Sequence, residues 1–388
     1  MLKKSKFLIP GIILVAAMLR IPFTTIPSIL TEVAAGLNVP VSSLGTLTTI
    51  PLLMFALVSS FAPKLAQRIG IEWSFSLVLF LMAVGSFIRT LSVPTLYLGT
   101  AMIGAGIAVL NVLMPSIVTA YFPHKIGQYT TLYTTSMGIS AAVASSLAVP
   151  ITQASSWKTL ILVLTVLICL SFVVWLPNVK FNHKLSVNSN QKTTSSFWKN
   201  KVAWVLLIFG GFQSMLFYTG LTWLPTMASN AGLSHATAGT LSGVYSLISL
   251  PLSMFLPNLV AHVSAKLRRT IMGGFCLLGI IGIAALFFQQ ASFGYWLLIN
   301  CLIGASVGAL FPYLMTTFSL KTTDPHKTAK LSGMAQTGGY LLAAVGPFLF
   351  GYGFEIFHSW TFSIACLLLA SIAMTACMLY VERFDKIG

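Results

Sequence analysis

The chain has 388 residues, of which 56% are hydrophobic and only 7% charged, with a mean hydropathy of +0.90. A soluble domain carries about 25% charged residues, so most of this chain cannot face water. The formal net charge of +16 does not point to nucleic acid, because the basic residues sit in short clusters between long apolar stretches.

Lys3, Lys4 and Lys6 precede an apolar run from Phe7 to Leu30. A bilayer core of about 30 Å takes roughly 20 apolar residues per helix. The run meets that length and no small-x-small cleavage pattern follows it, so it reads as a retained first helix rather than a signal peptide. The same rule predicts spans at 43–62, 73–91, 95–120, 128–153 and 157–177, and then at 201–228, 236–261, 270–289, 292–318, 329–352 and 360–381. Between the two sets of six lies KFNHKLSVNSNQKTTSSFWKNK, too poor in apolar residues to form a core and read as a solvated linker. The expected fold is an all-α integral membrane protein with twelve transmembrane helices in two six-helix halves. The halves are residues 1–177 and 201–388, joined by a cytoplasmic linker over 178–200.

Nineteen of the 22 lysines and arginines fall in the tails and the even-numbered connections. Cytoplasmic loops carry that excess, so both termini are expected on the cytoplasmic side of the cytoplasmic (inner) membrane. Trp157, Trp198, Trp204 and Trp360 lie near predicted interfaces and read as anchors, and Arg89 reads as a side chain that snorkels to the interface.

The halves echo one another. IPLLMFAL at 50–57 returns as LPLSMFLP at 250–257, and IGAGIAVL at 103–110 returns as IGASVGAL at 303–310, each offset by 200. Gly138 corresponds to Gly338 at the same offset. A repeat in one orientation implies two units related by an axis along the membrane normal, the architecture of the major facilitator superfamily. Small residues such as Gly104, Gly106 and Gly304 let helices approach closely. Prolines such as Pro22, Pro115, Pro225 and Pro347 each remove a backbone hydrogen bond.

Several stretches resemble the cyanate and nitroimidazole transporter family of that superfamily. They are MLRIPFTTIP in the first span, NVLMPSIV followed by FPHKIGQYTTLYT, FQSMLFYTGLTWLP with AGLS, and LSGMAQTGGYLLAAVGP. The resemblance implies a carrier of a small molecule that exposes its site alternately to the two sides. The loop after the second span departs from the superfamily pattern. APKLAQRIGIEWS has Gln67 where an aspartate is usual, while Arg68 and Gly70 remain as candidates for a conformational role, with Gly138 and Gly338.

The site is sought among polar residues at membrane depth. Six acidic residues, Glu32, Glu72, Asp324, Glu355, Glu382 and Asp385, all fall at helix ends, in loops or in the tail, which argues against a mid-membrane proton-cycling carboxylate. The six histidines are likewise peripheral, and the five cysteines lack metal-ligand spacing. No cofactor, metal or catalytic residue is expected, nor is a membrane enzyme. Arg20 stands apart, about 20 Å along the first helix at 1.5 Å per residue. It either binds an anionic substrate group through its planar fork or serves the structure near Pro22. Thr24 is one turn away. Asn111, Gln213 and Gln336 are uncharged amides, and Tyr133, Phe217, Tyr218 and Tyr340 are candidate pocket walls. The function expected is secondary transport of a small anionic or polar solute by a protein able to work as a monomer in the lipid bilayer. Export of neutral aromatic compounds and a non-transporting sensor are the alternatives.

Overall fold

The computed structural model describes residues 3–26, 29–39, 44, 47, 50–185 and 197–387. The expected start of the second span and the middle of the linker, 186–196, lie outside the described residues. Within them the regular structure is helical. The first half contains α1 (Leu8–Met18), α2 (Ile21–Thr24), α3 (Leu30–Leu37), α4 (Ile50–Val58), α5 (Ala62–Ile69), α6 (Ile71–Ile88), α7 (Val93–Tyr121), α8 (Ile126–Ala154) and α9 (Trp157–Trp175). The second contains α10 (Lys201–Asn230), α11 (His235–Leu247), α12 (Ser249–His262), α13 (Ala265–Ala285), α14 (Phe293–Leu320), α15 (Pro325–Phe357) and α16 (Thr361–Val381). Among the described residues eleven helical stretches are long and apolar enough to cross a membrane, and Leu8–Thr24 is a shorter one.

Loop chemistry sets where several spans begin. Ser92, Ser156, Ser234 and Ser264 each accept a hydrogen bond from the backbone N–H three residues on, and Asn200 does so for Val202 and Ala203. Such caps satisfy donors that have no partner inside the helix.

The first span is not the continuous helix expected over 7–30. It ends at Met18, turns through Leu19 and Arg20, and restarts at Ile21. Pro22 is the cause: it lacks the N–H that would reach the Met18 carbonyl, and its ring crowds that oxygen. The Arg20 backbone N–H turns back to the Ala17 carbonyl at 3.1 Å. The Arg20 carbonyl accepts from the N–H groups of Phe23 and Thr24 at 3.0 and 2.9 Å.

The chain forms two compact units. Unit 1 comprises Met1–Lys125, Leu132–Thr194 and Asp324–Gly333; unit 2 comprises Ile126–Thr131, Ser195–Thr323 and Met334–Gly388. In unit 1, α6 lies along α7 so closely that a Cβ on Gly99 would stand 2.2 Å from the Gly85 carbonyl oxygen. That crossing corrects the reading of Arg89. Its Cγ is held against Gly99 and its side chain is 1% exposed, so it is buried between helices rather than snorkelling. Two tryptophans expected as anchors are buried as well. Trp157 is enclosed by Ile26, Ile29, Val33 and Leu160 in unit 1, and Trp360 stacks on Phe354 in unit 2. Trp198 and Trp204 are exposed.

The 200-residue echo has a packing counterpart in each unit. A Cβ on Gly104 would lie 2.8 Å from Pro51 Cα in unit 1, and one on Gly304 would lie 2.9 Å from the Tyr245 carbonyl in unit 2.

Candidate functional site

In unit 1, Arg20 sits at the break between α1 and α2, half buried. Thr24 joins it through the backbone, its hydroxyl donating to the Arg20 carbonyl at 3.1 Å. Asn111 is buried in the middle of α7 and Tyr133 is buried on α8. A guanidinium at an interrupted helix offers an anion its planar donor fork, while the Arg20 backbone N–H and carbonyl are both hydrogen-bonded within the turn.

In unit 2, the polar side chains of α10 tie it to its neighbours. Gln213 Nε2 donates to the Val307 carbonyl of α14 at 2.9 Å, and Gln213 Oε1 accepts from Ser214 Oγ at 3.2 Å. Trp223 Nε1 donates to the Pro347 carbonyl of α15 at 2.9 Å. The Phe217 ring meets Tyr218 edge-on at 5.3 Å and stacks on Tyr245 of α11 at 5.9 Å. Tyr245, which sequence reasoning passed over, is 1% exposed and donates its hydroxyl to the Phe217 carbonyl at 3.1 Å. Gln336 and Tyr340 are buried four residues apart on α15, on one face. Between them Gly338 meets Leu207 of α10, where an added Cβ would stand 2.6 Å from Leu207 Cδ1.

The turn between α5 and α6 is built on Gly70, whose φ of 96° is one that side chains rarely adopt. Asn182, just past the first half, clamps it: Asn182 Nδ2 donates to the Ile69 carbonyl at 2.8 Å and Oδ1 accepts from the Trp73 N–H at 3.3 Å. Arg68 is exposed beside this turn and Gly138 is half buried on α8.

Two buried carboxylate clusters were missed. The sequence placed Glu72 and Glu382 at helix ends without indicating that they would be buried. In unit 1, Glu72 is 0% exposed. Its Oε1 accepts from the Tyr121 hydroxyl at 2.6 Å and its Oε2 from the His183 backbone N–H at 2.9 Å. His183 Nδ1 lies 2.9 Å from Oε1, near enough for an ion pair when the ring is protonated, though out of line for a hydrogen bond. In unit 2, Glu382 accepts from Tyr313 Oη at 2.5 Å, from Arg268 Nε at 2.9 Å and from Lys321 Nζ at 3.4 Å. Burial lowers the Lys321 pKa, and the adjacent Glu382 carboxylate opposes that shift. The tail returns to the same place, with the Ile387 N–H on the Lys321 carbonyl at 2.7 Å and Lys386 Nζ on the Leu320 carbonyl at 2.8 Å. A tyrosine near the end of an apolar helix was the one sequence signal for either cluster.

The Major Facilitator Superfamily model matches residues 11–347. An uncharacterized transporter of Bacillus subtilis is 38% identical over 96% of this chain and 92% of its own length. The 2-nitroimidazole transporter of Escherichia coli is 34% identical over 96% of this chain and 94% of its own. The cyanate transport protein of the same organism is 22% identical over 88% of each. The solved proton:xylose symporter bound to 6-bromo-6-deoxy-D-glucose aligns with a TM-score of 0.76 at 14% identity, over 97% of this chain and 94% of that one. That last likeness concerns the fold alone.

Proposed function

The chain belongs to the major facilitator superfamily, among transporters related to the 2-nitroimidazole and cyanate carriers, and from that premise we propose that it moves a small anionic or polar solute across the cytoplasmic membrane by alternating access, with Arg20 holding the solute. Both termini face the cytoplasm in this reading, which the lysine and arginine distribution supports. The two halves, 1–177 and 201–388, rock about the bound solute. Gly138 and Gly338 allow helices to slide, and Arg68 and Gly70 steady the turn after α5. Thr24 and Asn111 on one half, with Gln213, Gln336 and the rings of Tyr133, Phe217, Tyr218 and Tyr340, orient the solute and wall the path.

The observation that carries this reading is the interruption of the first helix at Arg20. Discontinuous membrane helices are where many carriers place their solute sites, and a cation at such a break selects for negative charge.

A second reading is favoured by the 34% relative, which is named for 2-nitroimidazole. Here the solute is a neutral aromatic compound, the rings dominate recognition and Arg20 serves the helix break. Thermal unfolding of the purified protein against small anions, cyanate included, and against neutral nitroimidazoles separates the two, because ligands that bind the folded state raise its stability. Stabilisation by anions that is lost in Arg20→Ala supports the first reading. Stabilisation by neutral aromatics that persists in Arg20→Ala refutes it in favour of the second.

A further inference from the structure

Two short stretches of the chain are housed in the unit opposite to their neighbours in sequence. Ile126–Thr131, the first turns of α8, belong to unit 2, and the chain returns to unit 1 at Leu132. Asp324–Gly333, which lead into α15, belong to unit 1, and the chain returns to unit 2 at Met334. Each guest stretch is seated closely through a glycine. In unit 2, a Cβ on Gly127 would stand 2.7 Å from Ala261 Cβ and 2.8 Å from Asn258 Cα, both on α12. In unit 1, a Cβ on Gly333 would stand 3.0 Å from the Ser59 carbonyl oxygen, and the Thr328 hydroxyl reaches Thr119 Oγ1 of α7 at 3.4 Å.

Both departures start from a fixed point. The chain leaves unit 1 after Lys125, and Tyr121, which ends α7, donates to the buried Glu72 at 2.6 Å. Glu72 also takes the His183 N–H at 2.9 Å, and the Ile71 N–H donates to the His183 carbonyl at 3.1 Å. One carboxylate therefore holds the end of α7 against the start of α6 and the segment beyond α9. The chain leaves unit 2 after Thr323. Just before that point, Lys321 Nζ donates to Glu382 at 3.4 Å, and Lys386 Nζ donates to the carbonyls of Leu320 and Thr322 at 2.8 and 3.0 Å.

Glu72 and Glu382 are the two buried acids among the described residues. Burying a carboxylate is costly, and an ordinary solvated connection needs none, yet one stands at each departure point. A tethered segment meets its host at an effective concentration set by the length and stiffness of the tether. With Tyr121 fixed, the tether is Phe122–Lys125 alone. With Tyr121 released, the free length grows into the last turn of α7, and closing the loop onto the host costs more entropy. The same holds for Lys321 and the stretch that follows it.

We infer that Glu72 and Glu382 are positioning residues for the two guest stretches: each fixes a departure point and thereby sets how readily the stretch that follows leaves its host. The consequence for transport rests on the alternating-access reading, in which each guest stretch parts from its host as access switches. Loosening either anchor favours the parted state. Neither glutamate touches the solute in this account, and neither acts through Arg20.

The test is amide hydrogen exchange of the full-length protein in nanodiscs without solute, read by mass spectrometry. The reporters are the Thr130 and Thr131 amides, which close the first turn of α8 on the Ile126 and Gly127 carbonyls, and the Thr328 amide, which donates to the Asp324 carbonyl at 3.0 Å. Glu72→Gln leaves one oxygen for two donors. Tyr121→Phe deletes one bond and strands no charge, so it decides alone if Glu72→Gln fails to fold. Both are expected to speed exchange at Thr130 and Thr131 about five-fold, the scale of one lost hydrogen bond, with Thr328 and the helices of unit 2 unchanged. Glu382→Gln and Tyr313→Phe are expected to speed Thr328 by the same factor and leave Thr130 and Thr131 unchanged. A purely structural role for Glu72 would speed exchange in α6 and α7 without reaching a stretch housed in unit 2. That pattern, unchanged exchange at the matching reporter in both variants of either pair, or equal acceleration at both reporters, overturns the inference. No solute enters the measurement, so failure of the transport reading shows separately, in the ligand panel with Arg20→Ala.

Discussion

Replacing Glu382 by alanine strands two cations. Arg268 and Lys321 both bond its Oε2, at 2.9 and 3.4 Å, and their side chains are 12% and 2% exposed. Tyr313, fully buried, loses the acceptor of its hydroxyl at the same time. Breaking a buried ion pair by removing one partner costs about 3–5 kcal/mol, because the remaining charge is left uncompensated. The loss expected here lies in that range. Lys321 retains some support, since its ammonium also donates to the Phe384 carbonyl at 2.5 Å and the Val381 carbonyl at 3.3 Å. Glu382→Gln should cost less, about 1.5–3 kcal/mol, because an amide oxygen still accepts but no longer neutralises. The assay is reversible unfolding by SDS in mixed micelles, read by tryptophan fluorescence. A double-mutant cycle with Lys321→Met supplies the sharper test. Removing the stranded ammonium should recover about 1–2 kcal/mol of the Glu382→Ala loss. A Glu382→Ala loss below about 1 kcal/mol, or strict additivity with Lys321→Met, would refute the reasoning.

Arg89→Leu should leave stability unchanged or raise it, because the guanidinium is 1% exposed while its Nε and Nη1 lack partners among the described residues; a fall in Tm of more than about 4 °C would mean that the charge is compensated. Gly70→Ala should destabilise by more than about 1 kcal/mol, combining a left-handed φ with a Cβ 2.0 Å from Asn182 Oδ1, and chemical unfolding of that variant measures it. Gly338→Val should lower solute uptake into proteoliposomes at least ten-fold by pushing α15 off Leu207, and normal uptake would remove Gly338 from any conformational role. Gln213→Leu should cost about 1 kcal/mol through the lost bond to Val307. Solute affinity unchanged in that variant would make Gln213 a helix tie rather than a ligand contact.

The positions of the spans were legible because they depend on a local quantity, the length of each apolar run. The repeat was legible for the same reason, since Gly104 and Gly304 answer to one packing rule in each unit. Arg20 was identified as unusual, but the break around it follows from the carbonyl at Met18 that Pro22 leaves without a donor. Partners distant in sequence were not legible. Glu72 meets a hydroxyl 49 residues away and a backbone N–H 111 residues away, and no local pattern encodes either distance. Arg89 was misread because its exposure depends on how closely Gly85 and Gly99 let two helices approach, a property of the pair rather than of the arginine.

The two carboxylate clusters also show how far the two halves of the repeat differ. Tyr121 and Lys321 occupy the same place in the 200-residue register, and each grips a buried glutamate. The glutamates do not correspond: Glu72 opens α6, whereas Glu382 follows α16. The same register position in each half thus meets a buried carboxylate that reaches it from a different element. In related chains, position 121 should covary with position 72, and position 321 with positions 382 and 268.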